Sequence, residues 1–281
     1  MQFSFGMLTK PTTDPRRLIV FTDLDGTLLD HDSYSWAPAT PALAKLRRLA
    51  VPVILTSSKT GAEIARLHAE LELDAPYIVE NGAGIIFPEQ EQSPAAAAQN
   101  FSRTYPELLA FLHQLRHKHN FKFRGFGDFS VAEVAAETGL PLEKAALARE
   151  RRFSEPLRWD DTPAALAAFT EILEANDLKL LRGGRFYHVL DHRAGKGNAL
   201  HRLLDHYRRN TPGADWYSVA LGDGPNDEDM LDAADLAVVI PSASSIGPKP
   251  HNPNVLHAGQ RGPQGWNSAI LQILDSYETK E

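Results

Sequence analysis

The chain of 281 residues contains no cysteine. That absence removes a disulfide framework, a thiol nucleophile and any zinc-thiolate site. Eleven histidines are present, but none falls in an HExxH or comparable ligand spacing, so a zinc centre built on imidazole is not expected either. No apolar run approaches the length of a membrane span, and the first residues, MQFSFGMLTKPTTDPRR, lack the continuous apolar core of a signal peptide. Positive charge is also scarce. Lys and Arg number 29 against 36 Asp and Glu, a formal net charge of -7, the wrong sign for a surface that follows a nucleic-acid backbone. The expectation is a cytoplasmic protein with neither a nucleic-acid nor a membrane partner. A local cationic pocket for an anionic small molecule stays compatible with that charge.

What the chain does contain is apolar material, 43% of its residues, enough for one large core or two moderate ones. Its most informative stretch is FTDLDGTLL, residues 21 to 29. A β-rich run, LIVFT, delivers Asp23 and Asp25 into a glycine turn, and residues two apart in an extended segment share a face. Both carboxylates can therefore address one small site at the carboxyl end of a strand, where open α/β sheets place their ligands. The bland alternative is an acidic turn that merely ends a strand.

Three further segments follow in order. VPVIL runs into Thr56, Ser57, Ser58 and Lys59, a hydroxyl-rich strand end suited to phosphoryl oxygens. Lys196 sits in the turn-like HRAGKGNAL ahead of a helical pattern, and LGDGPNDEDML, residues 221 to 231, follows the run WYSVA with Asp223, Asn226 and Asp227. Taken singly, Asp223 and Asp227 read as an acidic helix start and Lys196 as a surface lysine.

Residues 18 to 86 alternate strand and helix: LIVF, a helix from about Thr40 with Pro41 in its first turn, VPVIL, a helix from about Gly61, then PYIVE. This order implies a doubly wound parallel sheet. Between Ser57 and Lys196 the chain is far longer than one crossover requires. Within the excess we read helices at about 106–119, 131–138, 141–152 and 163–176, and strands at FKFRGF, PLRW, LKLL and RFYHVL. The expected fold is α/β: a core in two pieces, residues 1–89 and 188–281, flanking an inserted α+β cap at 90–187. The polar, alanine-rich EQEQSPAAAAQN, 89–100, reads as the connection into the cap.

DxDGT joined to GDGxND, with the serine and lysine between them, resembles the four motifs of the haloacid dehalogenase (HAD) superfamily. VPVILTSSKT, IVENGAGI, FRGFGDFS, ETGLPLEKAALARERRFSEP, GGRFYHVLD and GPQGW extend the likeness and resemble the mannosyl-3-phosphoglycerate phosphatase family, particularly its bacterial branch. Ser58 and Lys59 stand where the wider class commonly has Gly-Arg. The resemblance implies a HAD core with a C2B-like cap, Mg2+ as cofactor, and hydrolysis of a small phosphorylated glycoside. It assigns Asp23 as nucleophile and Asp25 as acid and base, with Ser57 and Lys196 on the transferring oxygens. Asp23, the Asp25 carbonyl and Asp223 would hold the cation, with Asn226 and Asp227 orienting the site. A second acid beside the nucleophile favours phosphate over halide as leaving group, since halide needs no proton. A phosphomutase, a sucrose- or trehalose-phosphate phosphatase and a non-catalytic binder on the same fold stay open, as does oligomeric state.

For the rest of the substrate, Lys59, Asn81, Arg185 and His188 are the candidate contacts. Lys122 and Arg124 alternate with phenylalanines on FKFRGF, so one face of that strand is cationic. Asn81-Gly82 between apolar runs is also a hairpin signal. Arg151 and Arg152 read as complements to the dipole of the helix they end, GFGDFS as a cap loop and GPQGW as the turn that opens the last helix.

Overall fold

Residues Arg17 to Thr22 form β1, buried along all but its first position, because branched and aromatic side chains fill both of its faces. The computed structural model describes residues 16–88, 103–183, 185–242 and 247–278, so the connection expected at 89–100 and the first residues of the chain lie outside the described residues. After β1 come α1 (Thr40–Arg48), β2 (Val53–Leu55), α2 (Gly61–Glu70), β3 (Tyr77–Val79) and β4 (Gly84–Ile86). The inserted segment contributes α3 (Tyr105–His119), β5 (Phe123–Gly125), α4 (Val131–Thr138), α5 (Leu142–Arg149), β6 (Ser154–Trp159), α6 (Pro163–Glu174), β7 (Leu178–Arg182) and β8 (Tyr187–Asp191). The chain then returns through α7 (Lys196–Asn210), β9 (Trp216–Gly222), α8 (Glu228–Ala233), β10 (Leu236–Val239), β11 (Val255–His257) and α9 (Gly262–Glu278).

The core sheet is parallel in the order β11-β10-β9-β1-β2. Alternate residues of β1 divide its two cores: Leu18 and Val20 pack under α1, α2 and α9, while Ile19 and Phe21 pack under α7 and α8. β1 is paired to β2 on one side and β9 on the other, so the strand order reverses around it and the crevice beyond its carboxyl end is a switch point. The run PYIVE is less regular than a third parallel strand. It forms β3, antiparallel to β4 across a turn at Glu80–Gly82, and meets the main sheet by a single bridge, Thr56 to Ile78. The hairpin reading of Asn81-Gly82 therefore describes the local chain.

A second sheet, antiparallel in the order β5-β6-β8-β7, carries the insert. One face, with Phe123, Leu157, Leu178 and Val189, packs on Leu108, Leu112 and Leu115 of α3 and Phe169 and Leu173 of α6. The registers put Arg124, Arg158, Pro156, His188, Leu190, Leu181 and Lys179 on the other face. Leu190 and Leu181 of that face meet Ala83 and Ala194 of the core. β8 pairs with β7 as far as Asp191, so the antiparallel sheet continues beyond residue 187.

Capping boxes open α2 (Thr60 and Glu63) and α4 (Ser130 and Glu133), which is why these helices begin where the sequence places them. α5 stops at Arg149, short of the expected 152. Its chain turns at Glu150 because the next residues are drawn inward. Arg151 is buried, pairs with Glu80 at 3.3 Å and donates to Ser58 O and Ser154 Oγ, so it clamps the cap to the core instead of complementing a dipole. The Glu80 carboxylate also accepts from the main-chain N–H groups of Arg152, Phe153 and Ser154.

Candidate active site

Asp23 follows β1 directly, and its carboxylate is buried where the core strands end. The fully buried ammonium of Lys196, the first residue of α7, bridges Asp23 Oδ1 at 2.7 Å and Asp227 Oδ1 at 2.6 Å. Asp227 in turn accepts the main-chain N–H groups of Asp223 and Gly224, at 3.1 and 3.0 Å, which closes the GDGPND loop on itself. Asp223 accepts from Thr27 Oγ1 at 3.1 Å, tying that loop to the DGT turn. Gly26 sits in the left-handed region at φ +81°, and a β-carbon there would lie 2.5 Å from Asp223 Oδ2, so the close approach of the two loops requires glycine.

One carboxylate oxygen from each of Asp23, Asp223 and Asp227 lies within 4.8 Å of the others. Burial, then the Asp227 charge, push the Asp23 carboxyl well above the ordinary range against the pull of Lys196. The same two causes push Asp223 up to about 6. Burial opposes the charge on Lys196, but Asp227 and Asp23 outweigh it and hold that ammonium above the usual lysine range. Three carboxylates facing one ammonium leave an excess of negative charge, and an all-oxygen donor set suits a hard divalent cation. The residues present therefore fit such an ion.

Asp25 points elsewhere. Its Oδ2 takes the Lys59 ammonium at 2.5 Å, and its Oδ1 is buried with no hydrogen-bond partner among the described residues. Ser57 is buried beyond β2, where its Oγ accepts from Lys59 N at 3.2 Å and its carbonyl accepts from Asn81 N. Asn81 is buried in the left-handed region at φ 59°. Gly82, at φ +80°, lies so close to the loop before Lys196 that a β-carbon would be 2.1 Å from Gly195 O. Ser57, Asn81 and Lys196 thus belong to contiguous segments, while Asn226 is exposed.

The segment GPQGW does more than open a helix. Trp266 is fully buried, and its indole donates to Thr22 Oγ1 at 3.0 Å, whose hydroxyl donates to Asp23 O at 2.7 Å. The last helix thereby holds the main chain at Asp23. Trp266→Phe leaves Thr22 without that donor and opens a small void, an expected cost of about 1–3 kcal/mol. Urea unfolding with parallel kinetics checks this: midpoint and kcat should both drop while KM barely moves, and an unchanged midpoint would refute the anchor.

In the cap, Arg185 is exposed and donates to the carbonyls of Glu137 and Thr138, so it caps the end of α4 rather than reaching the core. His188 lies on the sheet face turned from α3 and α6, its Nδ1 buried without a partner among the described residues. Burial, then the neighbouring Arg151 charge, lower its pKa to about 3, so the ring is neutral. Arg124 pairs with Glu133 at 2.8 Å, while Lys122 is exposed beside Asp161.

A curated glucosyl-3-phosphoglycerate/mannosyl-3-phosphoglycerate phosphatase of Persephonella marina is 35% identical over 269 residues, covering 93% of this chain and 98% of that protein. The chain belongs to this phosphatase family of haloacid dehalogenase-like hydrolases. It is accordingly a phosphoric monoester hydrolase. The family model for haloacid dehalogenase-like hydrolases matches residues 20–146, which include Asp23, Asp25 and Ser57. A model described as sucrose-6F-phosphate phosphohydrolase matches residues 131–272, which include Lys196 and Asp223. Among solved structures, a HAD-superfamily phosphatase of Bacteroides thetaiotaomicron superposes with a TM-score of 0.66 at 18% identity, covering 98% of this chain and 99% of that one. The sucrose-phosphatase of Synechocystis, solved with sucrose and phosphate, gives 0.58 at 16% identity, covering 94% and 98%. At such identities these likenesses establish the fold alone. HAD hydrolases generally use a divalent metal, and the buried acidic triad is where this chain would hold one.

Proposed function

We propose that this protein hydrolyses a glycosyl-3-phosphoglycerate, mannosyl or glucosyl, to the glycosylglycerate and inorganic phosphate. The observation that carries the chemistry is one lysine, Lys196, joined to both Asp23 and Asp227 beside Asp223, with a second acid, Asp25, two residues beyond the nucleophile. The substrate comes from the whole-length relative, which is named for it.

In this reading an Asp23 carboxylate oxygen attacks phosphorus in line, a phosphorus–oxygen bond to the aspartate forms, and the bond to the glycerate oxygen breaks. Asp25 gives its proton to the departing alkoxide, then takes one from the water that attacks the aspartyl-phosphate and releases phosphate. The Ser57 hydroxyl and Lys196 hold the transferring oxygens, placing donors where negative charge develops. Asp23, the Asp25 carbonyl and Asp223 would hold Mg2+, which when bound offsets the charge of the phosphoryl group. Asp227 and Asn226 orient that side of the site, and Asn81 and His188 are the polar groups offered to the glycoside.

The sucrose-6F-phosphate model favours a second reading, a phosphatase for a simple sugar phosphate. Phosphate release from glucosyl- and mannosyl-3-phosphoglycerate, sucrose 6F-phosphate, trehalose 6-phosphate and glucose 6-phosphate, with Mg2+ and with EDTA, separates the two. The expected result is preference for a glycosyl-3-phosphoglycerate and silence in EDTA. Preference for a plain sugar phosphate would overturn the substrate.

A further inference from the structure

The loop after the DGT turn holds Tyr34 in an unusual state. The residue is 45% exposed and its backbone is left-handed, φ 57°, a costly conformation for a bulky side chain. Asp30 imposes it: the Asp30 carbonyl accepts from Tyr34 N, and its carboxylate accepts from Asp32 N, Ser33 N and Ser33 Oγ. The ring so presented collects two ammonium groups from different parts of the molecule. Lys59 Nζ, from the core loop after β2, lies 5.7 Å from its centroid, and Lys144 Nζ, from cap helix α5, lies 5.3 Å away. Both are within cation–π reach.

Lys144 is exposed and forms no ion pair with an acid among the described residues. Its place over the core is set by the cap's docking, in which Thr60 Oγ1 donates to Leu147 O at 2.9 Å and Arg151 reaches Ser58 O. Lys59 touches Asp25 and so lies at the edge of the phosphoryl site. Four other cap cations are committed elsewhere: Arg124 to Glu133, Arg158 to Glu137 and Asp160, Arg151 to Glu80 and Arg185 to helix carbonyls. His188 is neutral.

A phosphoglycerate ester brings a second anion, a carboxylate attached to the carbon that bears the sugar, next to the carbon that carries the phosphate. We propose that Lys59 and Lys144, gathered round the Tyr34 ring, bind that carboxylate, and that this contact distinguishes glycerate esters from plain sugar phosphates. The proposal rests on the reading of the substrate given above. It makes Lys144, a cap residue, a specificity determinant and the cap's electrostatic hold on the bound substrate.

The test compares Lys144→Met and Lys144→Arg with the wild type on two esters, glucosyl-3-phosphoglycerate and 4-nitrophenyl phosphate, which has no carboxylate. Lys144→Met should raise KM for the first about tenfold, with kcat held, and leave the second within about twofold, since one charge-assisted contact is lost. Lys144→Arg should restore most of the difference. Unchanged KM for the glycerate ester, or equal losses on both esters, overturns the subsite. Competitive inhibition of nitrophenyl phosphate hydrolysis by 3-phosphoglycerate and by glycerol 3-phosphate separates this from failure of the substrate reading. If wild type prefers 3-phosphoglycerate and Lys144→Met erases that preference, the carboxylate subsite stands even where the glycosyl ester is not hydrolysed.

Discussion

Asp23→Asn should abolish turnover while the protein stays folded. An amide has neither the charge nor the nucleophilicity to attack phosphorus, and losses on removing a covalent nucleophile run to the order of 10⁴-fold or more. The structure argues that folding survives. Asp23 is buried beside Asp227 and Asp223, and burial together with the Asp227 charge drives its carboxyl toward the protonated form, whose shape and neutrality an amide reproduces. Without added cation, the thermal midpoint of Asp23→Asn should therefore match or exceed that of the wild type. Quenched-flow phosphate release and intact mass after brief mixing with substrate give the readout: wild type gains a phosphoryl group and the variant does not. Substrate hydrolysis by Asp23→Asn at a normal rate would end the covalent scheme.

Lys196→Met should lose both activity and stability. The ammonium is the shared partner of Asp23 and Asp227, and all three groups are buried. Deleting the cation leaves buried carboxylates facing one another, and breaking a buried pair from one side costs about 3–5 kcal/mol. A divalent cation supplies replacement charge to the same carboxylates, so the loss should be largest in EDTA and partly recovered with Mg2+. Activity should not recover, because the donor to the transferring oxygens is gone. Urea denaturation with and without Mg2+, beside a phosphate-release assay, checks both statements. A chelated variant as stable as the wild type would mean that Lys196 does not balance this cluster.

Much of this site was legible because its residues follow strands that announce themselves. LIVFT, VPVIL and WYSVALG are unbroken apolar runs, and in a parallel sheet the residues just past such runs share one edge, which gathers Asp23, Ser57 and Asp223 there. Lys196 was legible as the first residue of a helix after a glycine turn. Cations were less legible, since a cation in a loop carries no local signal for where its side chain points. Arg151 looked like the end of a helix and is buried against Glu80, while Arg185 looked like a substrate contact and caps α4. Strand β11 is three residues long, and the sequence reading passed over it. Trp266 and Thr22 are 244 residues apart, so their hydrogen bond lies outside any local pattern.

By itself, the sequence determined most of the strands and helices, the α/β core with its insert, and the acids and lysine that open the motif loops, because periodicity and turn chemistry are local properties. Only the tertiary structure decided how those groups are shared: Lys196 between Asp23 and Asp227, Lys59 on Asp25, and Glu80 on the cap segment Arg152 to Ser154. It also decided that Lys144, unremarkable on its helix, stands with Lys59 at the Tyr34 ring. Such pairings depend on the docking of cap on core, a balance of burial and charge that no segment of the chain holds alone.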